Sequence, residues 1–266
     1  MKTEDGSDLV LNKTYRNKHL MQLVLKYRIF FFATIVMLNA CVKESACIKS
    51  TGKQAVETRV IGNDITHIIL KDKLNLVLRQ DSIASLTIEG GENLLKYVRA
   101  RQKGTELELK NDNKCNFLRS YKEEITVYLS LPNIKYINYT GFGNVSSLGE
   151  LKLNEFTFET RNGTGSINLT VDAQKINILQ HTGPADFTLN GKAKFSYLFS
   201  GGSGWLTCKN LISENAHVNH DGTGDVILTS TNSLLVELTS LGNIEYYRNP
   251  SVTVSQHTGR GKLIKR

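Results

Sequence analysis

The sequence predicts an all-β fold, a single-stranded β-helix-like solenoid with rungs of about 20 residues. Three features predict it. A glycine-rich corner recurs at a near-constant interval. Period-2 alternation of apolar and polar residues follows each corner. The composition is rich in β-branched and aromatic residues, with only 3 Pro and 21 Gly in 266 residues.

The N-terminal 40 residues stand apart from that pattern. Lys26 and Arg28 precede an apolar run from Ile29 to Leu38, followed by Asn39, Ala40 and Cys41. A positive region, a ten-residue apolar core and small residues before a cleavage point predict a secretory signal over 1–40. As a helix the run rises about 15 Å, half of what a bilayer core of about 30 Å requires. A start at Met21 yields a compact signal by itself and leaves 1–20 as an upstream leader. Leu38-Asn39-Ala40-Cys41 has the form of a bacterial lipobox, so Cys41 is the expected lipidation site and residues 41–55 a tether. Val42-Lys43-Glu44-Ser45 matches a Lys-acidic sorting signal for outer-membrane lipoproteins. Cys47 and Cys115 can pair in an oxidising envelope, leaving Cys208 over.

Residues 56–139 are strand-like but irregular, and read as opening rungs and a cap. His67–Leu70, Leu74–Leu78, Ser85–Ile88, Thr105–Leu109 and Ile125–Leu129 are the expected strands, with a short helix or a further strand over Asn93–Val98. From residue 140 the corners take over. Their second small residue falls at 143, 165, 185, 204, 224, 242 and 261, at intervals of 22, 20, 19, 20, 18 and 19. Two places on stand Val145, Ile167, Phe187, Leu206, Val226, Ile244 and Leu263, every one apolar. A second strand before each corner is expected to point in, out and in, as in Phe156-Thr157-Phe158, Ile176-Asn177-Ile178 and Phe195-Ser196-Tyr197. Each rung then holds two short strands, and stacking buries columns that one rung cannot bury alone. The corner glycines are expected to supply φ > 0. Lys262, Lys265 and Arg266 place charge on the last open edge.

Few residues point to chemistry. Asp186 and Asp225 share a column but lie two rungs apart, about 9–10 Å, with Trp205 between them, too far for one calcium ion. His181, His220 and His257 fall in another corner column and read as exposed corner residues rather than zinc ligands. Cys208 lies in an apolar column and reads as core. No catalytic or metal-binding motif stands out, and no catalytic, cofactor or metal residue is expected. Trp205, Phe142, Tyr139 and Tyr136 are the candidates for an exposed aromatic strip that contacts a glycan or a protein. The net charge of +8 is spread along the chain without a dense basic tract, which argues against nucleic acid.

Together these pieces resemble the head GIN domain of putative auto-transporter adhesins, a family common among Bacteroidota lipoproteins. The residues that carry the resemblance are Cys47–Gly52, Leu74–Gln80, Gly90–Leu95, Asn111–Asn116, the repeated Gly-x-Gly corners and Gly261–Lys265, spanning about 47–266. The resemblance implies a right-handed β-helix-like fold and supports a Cys47–Cys115 bridge. It brings no catalytic residue. The expected role is a non-catalytic adhesion or binding module, anchored by lipid in the outer membrane at the cell surface or on the periplasmic face. A polysaccharide-active β-helix enzyme and a structural or envelope-stress component are the alternatives.

Overall fold

The computed structural model describes residues 50–114 and 124–266, with Lys26 and Arg28 in a helix. Cys41, Cys47 and Cys115 lie outside the described residues. Lys49–Arg266 forms one compact unit, a β-solenoid of about six turns with rungs of about 20 residues.

The opening part holds β1 (Gln54–Arg59), β2 (His67–Asp72), β3 (Asn75–Gln80), β4 (Ser85–Gly91), the one-turn helix α1 (Glu92–Leu95), β5 (Val98–Lys103), β6 (Glu106–Asn111), β7 (Thr126–Leu131) and β8 (Tyr136–Gly141). The rungs follow as β9 (Val145–Arg161), β10 (Ser166–Thr182), β11 (Asp186–Ser200), β12 (Leu206–His220), β13 (Val226–Leu238), β14 (Ile244–Tyr247), β15 (Ser251–His257) and β16 (Leu263–Lys265). On one face the strands run β1-β4-β7-β3-β9-β10-β11-β12-β13-β14-β16. On the other, β5-β6-β2-β8 leads into the second halves of β9 to β13 and then β15.

The expected apolar column is present in register. Val145 pairs with Ile167, Ile167 with Phe187, and the series continues through Leu206, Val226 and Ile244 to Leu263. All but Leu263, on the last described rung, are buried.

Each rung from β9 to β12 is one bent strand of 15–17 residues rather than two short ones. The hydrogen-bond ladder runs through the bend, where two successive side chains face outward, as Gln174 and Lys175 do in β10. That extra outward position resets the alternation. In β11 it turns Ser196 and Leu198 inward, onto Ile176 and Ile178, and leaves Phe195 and Tyr197 half-buried outside, against expectation. Val254, also on the last described rung, is exposed.

The corner glycines have a different cause from the one expected. Of the corner glycines only Gly183 has φ in the left-handed region. Most of the rest are glycine because rung sits on rung. A Cβ on Gly165 would lie 1.9 Å from the Gly143 carbonyl oxygen, one on Gly224 2.2 Å from that of Gly204, and one on Gly261 2.0 Å from that of Gly242. Close backbone approach forbids any side chain there.

Candidate binding surfaces

Just past four of the corners, a short polar side chain ties one rung to the next. Asp186 Oδ1 accepts the Trp205 backbone N–H at 2.8 Å, and Asp225 Oδ1 accepts that of Asn243 at 2.7 Å. Asn144 and Asn243 do the same for Ser166 and Lys262. One oxygen of each carboxylate is therefore engaged by the backbone of the next rung, and at Asp225 by the Asn243 side-chain amide as well, at 3.2 Å. Trp205 stands in this column between the two aspartates and Phe142 lies two residues before Asn144, each about half exposed.

Tyr139 does not belong to an exposed strip. It is fully buried, with its hydroxyl donating to the Gly143 carbonyl at 2.7 Å and accepting the Gly165 N–H at 3.0 Å. Its ring fills the space left by Gly163, where a Cβ would lie 2.7 Å away. Burial pushes the phenol up to about 12.

Tyr139 opens an inward column that continues through Thr160, Gln180, Ser200 and His220. Gln180 Nε2 donates to the Ala185 carbonyl at 2.6 Å, and its Oε1 accepts from Ser200 Oγ at 3.3 Å. His220 is fully buried rather than an exposed corner residue, and its Nδ1 accepts the Gly222 N–H at 3.2 Å. Burial lowers the His220 pKa below the usual imidazole range, against the opposing pull of the Ser200 backbone and Asp225. Gln180, not His181, occupies the position that stacks under Ser200, while His257 ends the column at the exposed edge with Nε2 2.9 Å from the Gly261 carbonyl. Among the described residues no group of three His, Cys, Asp or Glu could hold a metal ion. Cys208 is buried, and desolvation pushes its thiol up to about 12, which leaves it un-ionised and inert.

The second halves of the rungs present a surface that sequence reading missed. His67 lies against Tyr136 with centroids 5.7 Å apart, His181 against Phe199 at 5.3 Å, and Tyr197 against His217 at 4.9 Å. Carboxylates brace them. Tyr136 donates to Glu159, Glu159 lies 3.1 Å from His181 Nε2 and 3.1 Å from Arg161, and Glu237 lies 2.9 Å from His217. Tyr136 was among the sequence candidates and belongs to this group. The Tyr136 hydrogen bond lowers the Glu159 pKa, while burial raises the phenol to about 12. The signal for this face was present as the middle residue of each in-out-in triplet. It was unreadable at Tyr197, because the assumed parity placed Tyr197 inside.

The family model described as putative auto-transporter adhesin, head GIN domain, matches residues 64–250. Solved structures share the fold. A putative adhesin from Bacteroides fragilis is 20% identical with a TM-score of 0.72, covering 80% of this chain and 97% of its own. A putative lipid binding protein from Parabacteroides distasonis is 16% identical with a TM-score of 0.62, covering 82% and 99%. A putative adhesin from the same species is 18% identical with a TM-score of 0.59, covering 81% and 98%. A search of curated proteins gives no match.

Proposed function

The chain belongs to the family of putative auto-transporter adhesins with a head GIN domain, and from that premise we propose that it is a non-catalytic adhesion module of the cell envelope. Acylation of Cys41 would hold it in the outer membrane, with the solenoid turned toward a glycan or protein ligand. Residues 41–55 serve as the tether, 56–139 as the cap and 140–266 as the rungs. A Cys47–Cys115 bridge would pin the start of the tether to the cap. Among the described residues no helix is long and apolar enough to cross a membrane.

The observation that carries the reading is the outward ladder of paired rings. Tyr197, His217, His181 and Phe199 are ordered by one another and by Glu159 and Glu237 before any ligand arrives. Rings already held in place lose little freedom on binding, which is what a flat capture surface needs. The commitment of Asp186 and Asp225 to backbone donors weighs against the enzyme alternative.

Whole-cell protease shaving tests exposure, and attachment of cells carrying Tyr197→Ala with Phe199→Ala tests the surface. The expected result is loss of the protein on shaving and reduced attachment at unchanged protein level. Protection from protease together with unaltered attachment refutes the reading.

A further inference from the structure

The rungs are not equal in length, and the change between β12 and β13 leaves a notch at the bend. Cys208 pairs with Leu228 and Ile212 with Thr229, so Lys209, Asn210 and Leu211 have no partner on the next rung. Leu211 turns into the core, while Lys209 and Asn210 stay outside. Thr229 Oγ1 donates to the Lys209 carbonyl at 2.7 Å and closes the floor. The result is an open cleft of about 520 Å³ bounded by Lys209, Asn210, Ile212, Tyr247, Arg248 and Arg266.

No Asp or Glu lines this cleft. Arg266 is already held by Glu245 through two hydrogen bonds of 3.0 and 2.7 Å. Lys209 Nζ sits 4.5 Å from the centre of the Tyr247 ring and has no acidic partner among the described residues. Arg248 likewise has no ion pair among the described residues, and its φ of 77° lies in the left-handed region that favours glycine. A long cation thus stands where the backbone prefers no side chain, a placement found where function over-rides local preference. The only apolar walls are Tyr247 and Ile212, the latter 47% exposed, too little to sheathe an acyl chain. A compact, polar, negatively charged body fits: cations for the charge, an amide for a hydroxyl, a ring and an aliphatic wall for the sugar face.

We propose that this notch binds an acidic saccharide, its carboxylate held by Arg248 and Lys209 and its ring resting against Ile212 and Tyr247. The proposal deepens the adhesion reading by naming a ligand class, and it rests on that reading. The test uses the full-length protein in detergent, titrated with trigalacturonate, with a neutral galactose trisaccharide and with inorganic sulfate. Saturable trigalacturonate binding is expected, weakening with salt, with little binding of the other two probes. Arg248→Gly, which removes the cation and relaxes the backbone, should weaken it about tenfold without loss of fold, and Lys209→Gln should weaken it by a smaller factor. Absence of trigalacturonate binding, equal affinity for sulfate, or indifference to Arg248→Gly overturns the proposal. Attachment lost on gene deletion but insensitive to Arg248→Gly sinks the notch and leaves the adhesion reading. Intact uronate binding with attachment untouched by deletion sinks the adhesion reading instead.

Discussion

The rungs from Val145 to Leu238 and the cap from Gln54 to Gly141 share one core yet are joined differently. In the rungs every strand pairs, parallel, with the next one in sequence. In the cap β3 lies between β7 and β9, β2 between β6 and β8, and the outer strands β1, β4 and β5 turn antiparallel. Outside the core, the rungs are laced by amides as well as by ion pairs, Lys175 to Glu155 at 2.8 Å and Lys192 to Asp172 at 3.1 Å. Asn168, Asn190 and Asn210 form an amide ladder with 3.3 Å steps. The cap is laced by ion pairs, Lys71 to Glu108 at 3.0 Å and Arg99 to Asp112 at 2.5 Å. Periodic stacking therefore rests on backbone proximity, and the cap rests on its apolar residues, since exposed ion pairs contribute little.

The largest effect is expected where the two regions meet. Phe158 packs edge-on against Tyr139 on the cap side and Phe187 on the rung side, with centroids 6.1 and 5.2 Å away. Phe158→Ala should cost about 4 kcal/mol in urea unfolding, with both regions melting together. Two separate transitions would show that the core is not shared.

Glycines sharpen the contrast next. Gly224→Ala drives a Cβ to 2.2 Å from the Gly204 carbonyl oxygen and 2.6 Å from its carbon, so rungs must part, at about 3 kcal/mol. Gly104 in the cap has open space around it and φ of 57°, so Gly104→Ala should cost only about 1 kcal/mol of backbone strain. Equal costs would mean that conformation, not proximity, selects the corner glycines.

This difference also explains what the sequence made legible. A column such as Val145, Ile167, Phe187, Leu206 and Val226 repeats at the corner interval, so neighbours in space are neighbours in the pattern. The pairing of β3 with β7 and β9 joins segments about 50–70 residues apart, with no repeat to reveal it. Tyr139 was misplaced because an aromatic beside a corner looks exposed, and only the void at Gly163 shows where its ring goes. The notch was visible as the shortened interval of 18 residues after Gly224, but its lining is set by which residues lose their partners.

His220 should give the rungs an acid sensitivity at higher pH than the lowered carboxylates that both regions carry. Buried His220 has its folded pKa below the unfolded value of about 6.5. Its contribution to stability is whole above that value and falls as pH drops through it, because the unfolded chain binds a proton that the native ring resists. In the cap, the Lys71 hydrogen bond lowers Glu108 and the Lys110 hydrogen bond lowers Asp112, so their contribution persists until pH falls below about 4.5. Thermal melts should show Tm declining between pH 7.5 and 5.5. His220→Leu, which copies Leu238 at the same position one rung on, should reduce that decline. An unchanged slope in the variant would assign the effect to other histidines.

The smallest effects compare a carboxylate that caps the rung backbone with an exposed ion pair of the cap. Asp225 Oδ1 accepts both the backbone N–H of Asn243 at 2.7 Å and its side-chain amide at 3.2 Å, at a half-buried position. Asp225→Ala leaves a backbone donor without its partner and should cost about 1 kcal/mol. Arg99, half exposed, reaches Asp112 at 2.5 Å and Glu108 at 3.8 Å, but Lys110 and Lys71 still serve those carboxylates once it is gone. Arg99→Ala should therefore cost less than about 0.5 kcal/mol, and less still in high salt. Urea midpoints for the two variants should differ in that order at every ionic strength. The reverse order would mean that charge holds the cap together, and that the cap and the rungs are stabilised by different physics all the way to the core.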